Sequence, residues 1–330
     1  MTVLFAGGEL DAFAFTGAVS TDTASTTRRD TDFARATMLP RNPSRIEVDF
    51  TSTTEAWLHV TLNFNARGAS QQDAAPVRLI DSVTGQVVLQ VDGDNGFWHL
   101  EYWNGASFTQ LSDGLFFVAG ETHRLDIHWD IANSGGVFEA YIDGTLISSF
   151  SGDTLLAGFT QIDRFQLLSS SATSSIGTYD VFYSEVIVAT VETIGWRLST
   201  LAPDGTGNST TWTGDNTDVD DEGANDGTFV SSDTADEVEQ FTVSDLSATA
   251  SALDVEAVVV AARHRHGETG PQNLQLSVRT GTSDFFGSNI SGVDVGFNPG
   301  VEIFDQNPDT VADWTTGEVD ALEIGVKSIT

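Results

Sequence analysis

The chain contains no cysteine, and its only lysine is Lys327. Without thiols there can be no disulfide, no thiolate nucleophile and no cysteine-ligated zinc, a composition suited to folding in a reducing bacterial cytoplasm. Long apolar runs are missing as well, since none approaches the ~20 residues that a membrane-spanning helix needs. The opening MTVLFAGGELDAFAF has no basic n-region and breaks into two short apolar pieces, so no secretory signal is expected. Positive charge is scarce: 14 basic residues face 48 acidic ones, leaving a net charge of −34 over 330 residues. A field of that sign repels phosphate backbones and anionic lipid, so neither nucleic-acid binding nor membrane insertion is expected. It suits solubility in salt water, where screening tames the self-repulsion.

A period of 3.6 residues is also hard to find, whereas period-2 alternation recurs throughout. RIEVDF, AWLHVTLNF, PVRLID, QVVLQVDG, FWHLEYWNG, RLDIHWDI, VFEAYIDG, TLISSF, DRFQLL and YDVFYSEVIVA read as strands separated by Gly, Asn and Asp turns. Near residues 190–200 the character shifts. No Lys or Arg occurs from Leu198 to Ala262, and APDGTGNSTTWTGDNTDVDDEGANDGT reads as a polar loop of low complexity. Strand patterns return in EQFTV, DVEAVVVAARH, LQLSVRT, VEIFD and ALEIGVKSI. The expected fold is all-β, with two β-sandwich or jelly-roll domains in tandem over 1–192 and 193–330 and a changeover near Val191–Gly195.

Residues 123–150, HRLDIHWDIANSGGVFEAYIDGTLISSF, crowd histidines and carboxylates together. Alternation puts Leu125, Ile127 and Trp129 on one face and Arg124, Asp126, His128 and Asp130 on the other. Val137, Ala140 and Ile142 are expected at or near the core. Asp143-Gly144 carries the signature of a tight primed turn, which accounts for Asp143 by turn chemistry alone. This hairpin resembles the YVDG hairpin of concanavalin A-like, laminin-G-like jelly rolls. The resemblance covers roughly residues 1–190 and implies that TYDVFYSEVIVA returns beside the first strand. Retaining glycosidases of that fold carry carboxylates in an E-x-D-x-x-E spacing, set ~5 Å apart. Asp126 and Asp130 share a face, but four strand residues separate them by ~13 Å. A non-enzymatic protein is therefore expected. For sugar binding, Trp57, Trp98, Tyr102 and Trp103 are the candidates, and at least one of Trp98 and Trp103 should point away from the core. Packing of that ring under a loop or against a subunit is the simpler expectation.

Two clusters suggest metals. Asp218, Asp220 and Glu222 stand at the first, third and fifth positions of a calcium-loop pattern with Gly223 at the sixth, but Phe229 occupies the twelfth, where a bidentate Glu belongs. A plain surface loop is expected there; calcium is the one cofactor the pattern could take, and no other is expected. His264 and His266 share a strand face and could chelate zinc, although strand-end histidines more often face solvent.

From STTWTGDNTDVDDEG onward the chain resembles a β-rich module of tailed-phage structural proteins. PDT, then WT, then VDALEIGVK as the last strand is its most specific part. The resemblance implies a non-enzymatic virion component at the virion surface: a fibre, spike or decoration protein of capsid or tail, partnered by other virion proteins. It also implies self-association as a trimer. A physical motive comes from the pairs Phe116-Phe117 and Phe285-Phe286, because neighbouring strand residues cannot bury both rings in one core. The rival reading is a carbohydrate-binding adhesin with the first domain as lectin, meeting host surface polysaccharide.

Overall fold

The computed structural model describes residues 2–8, 12–16, 20–22, 36–39, 45–64, 74–94, 97–111, 121–156, 158–168, 181–221, 225–292 and 296–330. The chain forms two compact units that change over between Leu198 and Ser199. Residues 190–198 thus belong with the first unit, because they pack back onto it.

The strands of the first unit begin with β1 (Val3–Gly7), β2 (Ala14–Thr16), β3 (Ser20–Asp22), β4 (Ala36–Leu39) and β5 (Arg45–Thr53). Next come β6 (Glu55–Phe64), β7 (Ala74–Asp81), β8 (Gln86–Asp94), β9 (Phe97–Trp103) and β10 (Phe108–Gln110). The remainder are β11 (Thr122–Asp130), β12 (Gly136–Ile142), β13 (Thr145–Gly152), β14 (Ile162–Leu168) and β15 (Val181–Ala189). They make two antiparallel sheets. The first runs β13-β12-β11-β6-β15-β4-β3, with β1 also on β15, and the second runs β10-β9-β8-β7-β14-β5-β2.

Between the sheets lies the core, built by alternation. Leu58, Val60, Leu125, Ile127, Trp129 and Phe138 come from the first sheet, and Val77, Leu79, Leu89, Val91, Leu100 and Phe165 from the second; all are fully buried. Each such side chain stabilises the fold by ~1.5–3 kcal/mol relative to exposure. Cross-sheet contacts seal the layer: Phe5 meets Phe165 at 5.4 Å, and the Tyr183 hydroxyl donates to the Pro76 and Leu168 carbonyls, each at 2.8 Å. On β12 the core positions are Phe138, Ala140 and Ile142, while Val137 and Tyr141 face outward. The expectation for Val137 is therefore corrected, because the register sets Phe138 opposite Trp129. β15 does return beside the first strand, pairing Ala189 with Val3. Asp143 and Gly144 both take positive φ (51° and 79°), as a primed turn demands.

The second unit contains β16 (Pro203–Thr210), β17 (Val238–Val243), β18 (Val258–His264), β19 (Asn273–Thr280), β20 (Ser283–Phe286), β21 (Ile290–Ser291), β22 (Asn298–Phe304), α1 (Thr316–Asp320) and β23 (Glu323–Ile329). One sheet runs β16-β17-β23-β19-β20 with β21 on β19, and β18 pairs β22 separately. Val243, Val260, Leu276, Val278, Trp314, Val319 and Leu322 form its core. Trp314 is anchored further by its Nε1–H, which donates to the Phe304 carbonyl at 2.8 Å. β16 corrects the expectation of a loop over its residues. Its Pro203 starts an edge strand, where a missing N–H costs little. Gly207 has no room for a side chain, since a Cβ there would lie 2.6 Å from backbone of Gln240 on β17.

Candidate functional site

The histidines and carboxylates of residues 123–150 resolve into three separate pairs, the third completed by His59 of β6. His123 Nδ1 and Asp143 Oδ2 lie 2.9 Å apart, and the same carboxylate accepts from Arg124 N at 3.0 Å, so this pair closes the hairpin. His128 stands opposite Glu139 and reaches its Oε2 at 3.1 Å; Tyr141 Oη donates to that same oxygen at 3.0 Å. Burial, then Glu139, pushes the Tyr141 phenol up to about 12. Trp57 stacks on His128 with centroids 4.4 Å apart and an interplanar angle of 11°. Asp126 stands opposite His59 and holds its Nδ1 at 2.8 Å, with both side chains buried.

That third pair belongs to a larger buried cluster on the outward face of the first sheet. Thr193, from the segment after β15, donates to Asp126 Oδ1 at 2.8 Å. Glu185 sits at φ 49° where the register of β15 shifts, accepts from Thr61 Oγ1 at 2.6 Å and from Leu198 N at 3.3 Å, and is fully buried. The cluster has no opening to solvent through its own residues, so it orders the face rather than presenting it to a ligand.

The outward face of the second sheet differs. Register aligns Glu47, Gln166, Arg78, Gln90, Glu101 and Gln110 as direct neighbours across β5, β14, β7, β8, β9 and β10. Five strand-to-strand steps make this row roughly 24 Å long. Gln90 Nε2 donates to Glu101 Oε2 at 2.9 Å, and Gln166 Nε2 donates to Glu47. Beside the row, His99 lies across from Asp92 and its Nδ1 meets Gln110 Nε2 at 3.0 Å. Arg78, near the middle, is half-buried; its Nε has no hydrogen-bond partner, and burial weakens its hold on its proton while Asp92 opposes that effect. At the β9–β10 end Trp103 is half-exposed and meets Phe108 edge-on at 5.5 Å and 72°. Planar amides, carboxylates, an imidazole and a guanidinium, with the partly exposed Trp103 ring to one side, supply in-plane donors and acceptors and one apolar platform.

No protein-family model matches this sequence, and no curated protein matches it. Among solved structures it is similar to a cellulose induced protein, Cip1 (TM-score 0.42, 11% identity, 56% of this chain and 94% of that one). It is also similar to an alginate lyase solved with an alginate trisaccharide (TM-score 0.40, 12% identity, 58% and 99%). A third is the binding domain of a botulinum neurotoxin in complex with SialylT (TM-score 0.41, 9% identity, 92% of both chains). Likeness at this level carries neither ligand nor reaction across to this chain.

The four aromatic candidates separate. Trp98 is 1% exposed and points into the core, and Tyr102 lies on the inner side with one face stacked on Phe150 at 4.9 Å. Trp57 is buried under His128. Trp103 alone of the four lies on the outward face of the second sheet. Alternation alone does not single out Arg78, Gln90, His99 and Gln110. Their signal was present, since PVRLID, QVVLQVDG and FWHLEYW each carry planar polar side chains at alternate positions, but only the register aligns them.

In the acidic loop, Asp218 closes a capping box with Asp215, whose N donates to Asp218 Oδ2 at 3.1 Å. Asp221 Oδ2 accepts from Asn225 and Thr228, each through a short contact of 2.8 Å. Glu222 and Gly223 lie outside the described residues. Among the described residues, no group of three or more His, Asp or Glu is arranged to hold a metal. His264 is buried and directs Nε2 to the Ser291 carbonyl, whereas His266 turns Nδ1 to the Gly267 carbonyl. The two do not converge on a shared ligand.

Proposed function

We propose that this chain is a non-enzymatic carbohydrate-binding protein whose glycan lies along the outward row of the second sheet. The observation that carries this reading is the register-aligned run of planar polar side chains from Glu47 to Gln110, with Trp103 two residues along β9 from its member Glu101. The ring of Trp103 stacks on a sugar face, and Glu101 and Gln110, held from behind by the buried Gln90 and His99, exchange hydrogen bonds with its hydroxyls. Calorimetric titration of the full chain with a panel of neutral and acidic oligosaccharides tests it. Binding should appear and weaken at least ~10-fold, about 1.4 kcal/mol, in Trp103→Ala. No binding across the panel, or binding unchanged in both Trp103→Ala and Glu101→Gln, overturns it. Shortened oligosaccharide in the same incubations would make the chain an enzyme.

The setting we propose is a virion surface, with the second unit as the part that joins other virion proteins and the chain self-associating as a trimer. What supports this is the sequence pattern of the closing segment, together with the strongly acidic composition. Light scattering at physiological salt tests the self-association: a clean 35.2 kDa monomer excludes a trimer held together by this chain alone.

A further inference from the structure

We propose that residues 190–198 form a strap that the Glu185 carboxyl latches onto the first sheet at low pH and releases as pH rises. The strap leaves β15 at Ala189, hydrogen-bonds Thr190 N to the Thr2 carbonyl at 3.1 Å, and turns at Trp196 N to the Thr193 carbonyl at 2.9 Å. It is fastened at two buried points: Thr193 on Asp126, and Leu198 N on Glu185. The two anchoring carboxylates come from β11 (Asp126) and β15 (Glu185). Thr61, His59, Asp126, Glu185 and Thr193 are all at most 1% exposed. Undocking the strap would return Glu185 to water.

The charged and titratable groups that face Glu185 are few. His59 comes from β6, Arg197 from the strap, and Asp126 from β11 reaches it through His59; Arg124, also on β11, stands across from Thr61. Burial raises the affinity of the Glu185 carboxyl for its proton more than Thr61, His59, Arg197 and the Leu198 amide lower it. A released carboxyl in water has the ordinary value of ~4.3. The docked form therefore binds the proton more tightly. Docking is strongest below the ordinary value and weakens as pH climbs through the raised one, because an ionised carboxylate must then be kept out of water.

Hydrogen exchange of the full chain, read by mass spectrometry from pH 4.5 to 8 and scaled for the intrinsic exchange rate, tests the strap directly. Protection over 190–198 should fall several-fold with rising pH, while β6 and β11 keep theirs. Glu185→Gln should flatten that profile, and Thr193→Val should lower protection at every pH without changing its slope. A flat profile in the unmodified chain, or an unchanged slope in Glu185→Gln, overturns the proposal. Should Glu185→Gln fail to fold, Thr61→Val decides: removing a hydrogen bond to the ionised form must move the transition to higher pH, and an unmoved transition overturns the proposal equally.

Discussion

Three histidine–carboxylate pairs in neighbouring strands have very different consequences, because burial differs among them. Asp126 is 1% exposed and serves His59 and Thr193 at once, so Asp126→Ala leaves two buried polar groups unpaired. The expected cost is ~3 kcal/mol, a fall in melting temperature on the order of 10 °C by calorimetry. The Asp143 side chain is 48% exposed, and Asp143→Ala should cost less than ~1 kcal/mol in the same assay. In the second unit, burial lowers the proton affinity of His264. The folded state thus resists protonating it, and its contribution is present above the ordinary value of ~6.5 and lost as pH falls below it. Unfolding midpoints of the second unit should decline from pH 7 to 5, and His264→Asn should lessen that decline.

Elements were legible where side-chain pattern decides, and obscure where backbone approach or end chemistry does. Most strands of the first unit could be read from alternation, and so could the Asp143-Gly144 turn. β16 could not: Gly205, Gly207 and Asn208 argue against a strand, yet Gly207 is what lets β16 lie against Gln240. Gly207→Ala should push the edge strand away and cost ~1–3 kcal/mol in urea unfolding. α1 was hidden in a stretch read as leading directly into the last strand. Its signature is the capping box in which Thr315 accepts from Glu318 N and Glu318 receives Thr315 N at 2.8 Å. Thr315→Ala should cost ~1 kcal/mol. Site residues were the least legible. Trp98 and Trp103 are five apart on one strand and so face opposite ways, but no count along the sequence says which is inside. Neither does it say that Arg78, Gln90 and Glu101, from three strands, become neighbours.

At the scale of the whole chain, charge is the dominant property. The basic residues of the second unit are all engaged: Arg263 on Asp226, Arg279 on Asp284, Lys327 on Asp236 at 2.9 Å, and Arg265 over the rings of Phe229 and Phe297. Lys327 also lies over Phe286, which stays 37% exposed, whereas its neighbour Phe285 packs on the core. Phe116 and Phe117 lie outside the described residues. With cations committed locally, the remaining carboxylates repel one another through solvent. Melting temperature should therefore rise with salt up to ~0.5 M as the repulsion is screened. We further propose that calcium adds little beyond magnesium at equal ionic strength. A calcium-specific rise that disappears in Asp218→Ala would show instead that the acidic loop binds the ion.

The pairing of β1 with β15 also governs how the first unit bears load. Thr2 and Thr190 are hydrogen-bonded, so the start of β1 and the end of β15 meet at one point. Tension applied across these two points opens the β1–β15 ladder one hydrogen bond at a time, as a zip, and bypasses the rest of the sandwich. Under force the first event is peeling of a five-residue strand, with the row on the second sheet left intact.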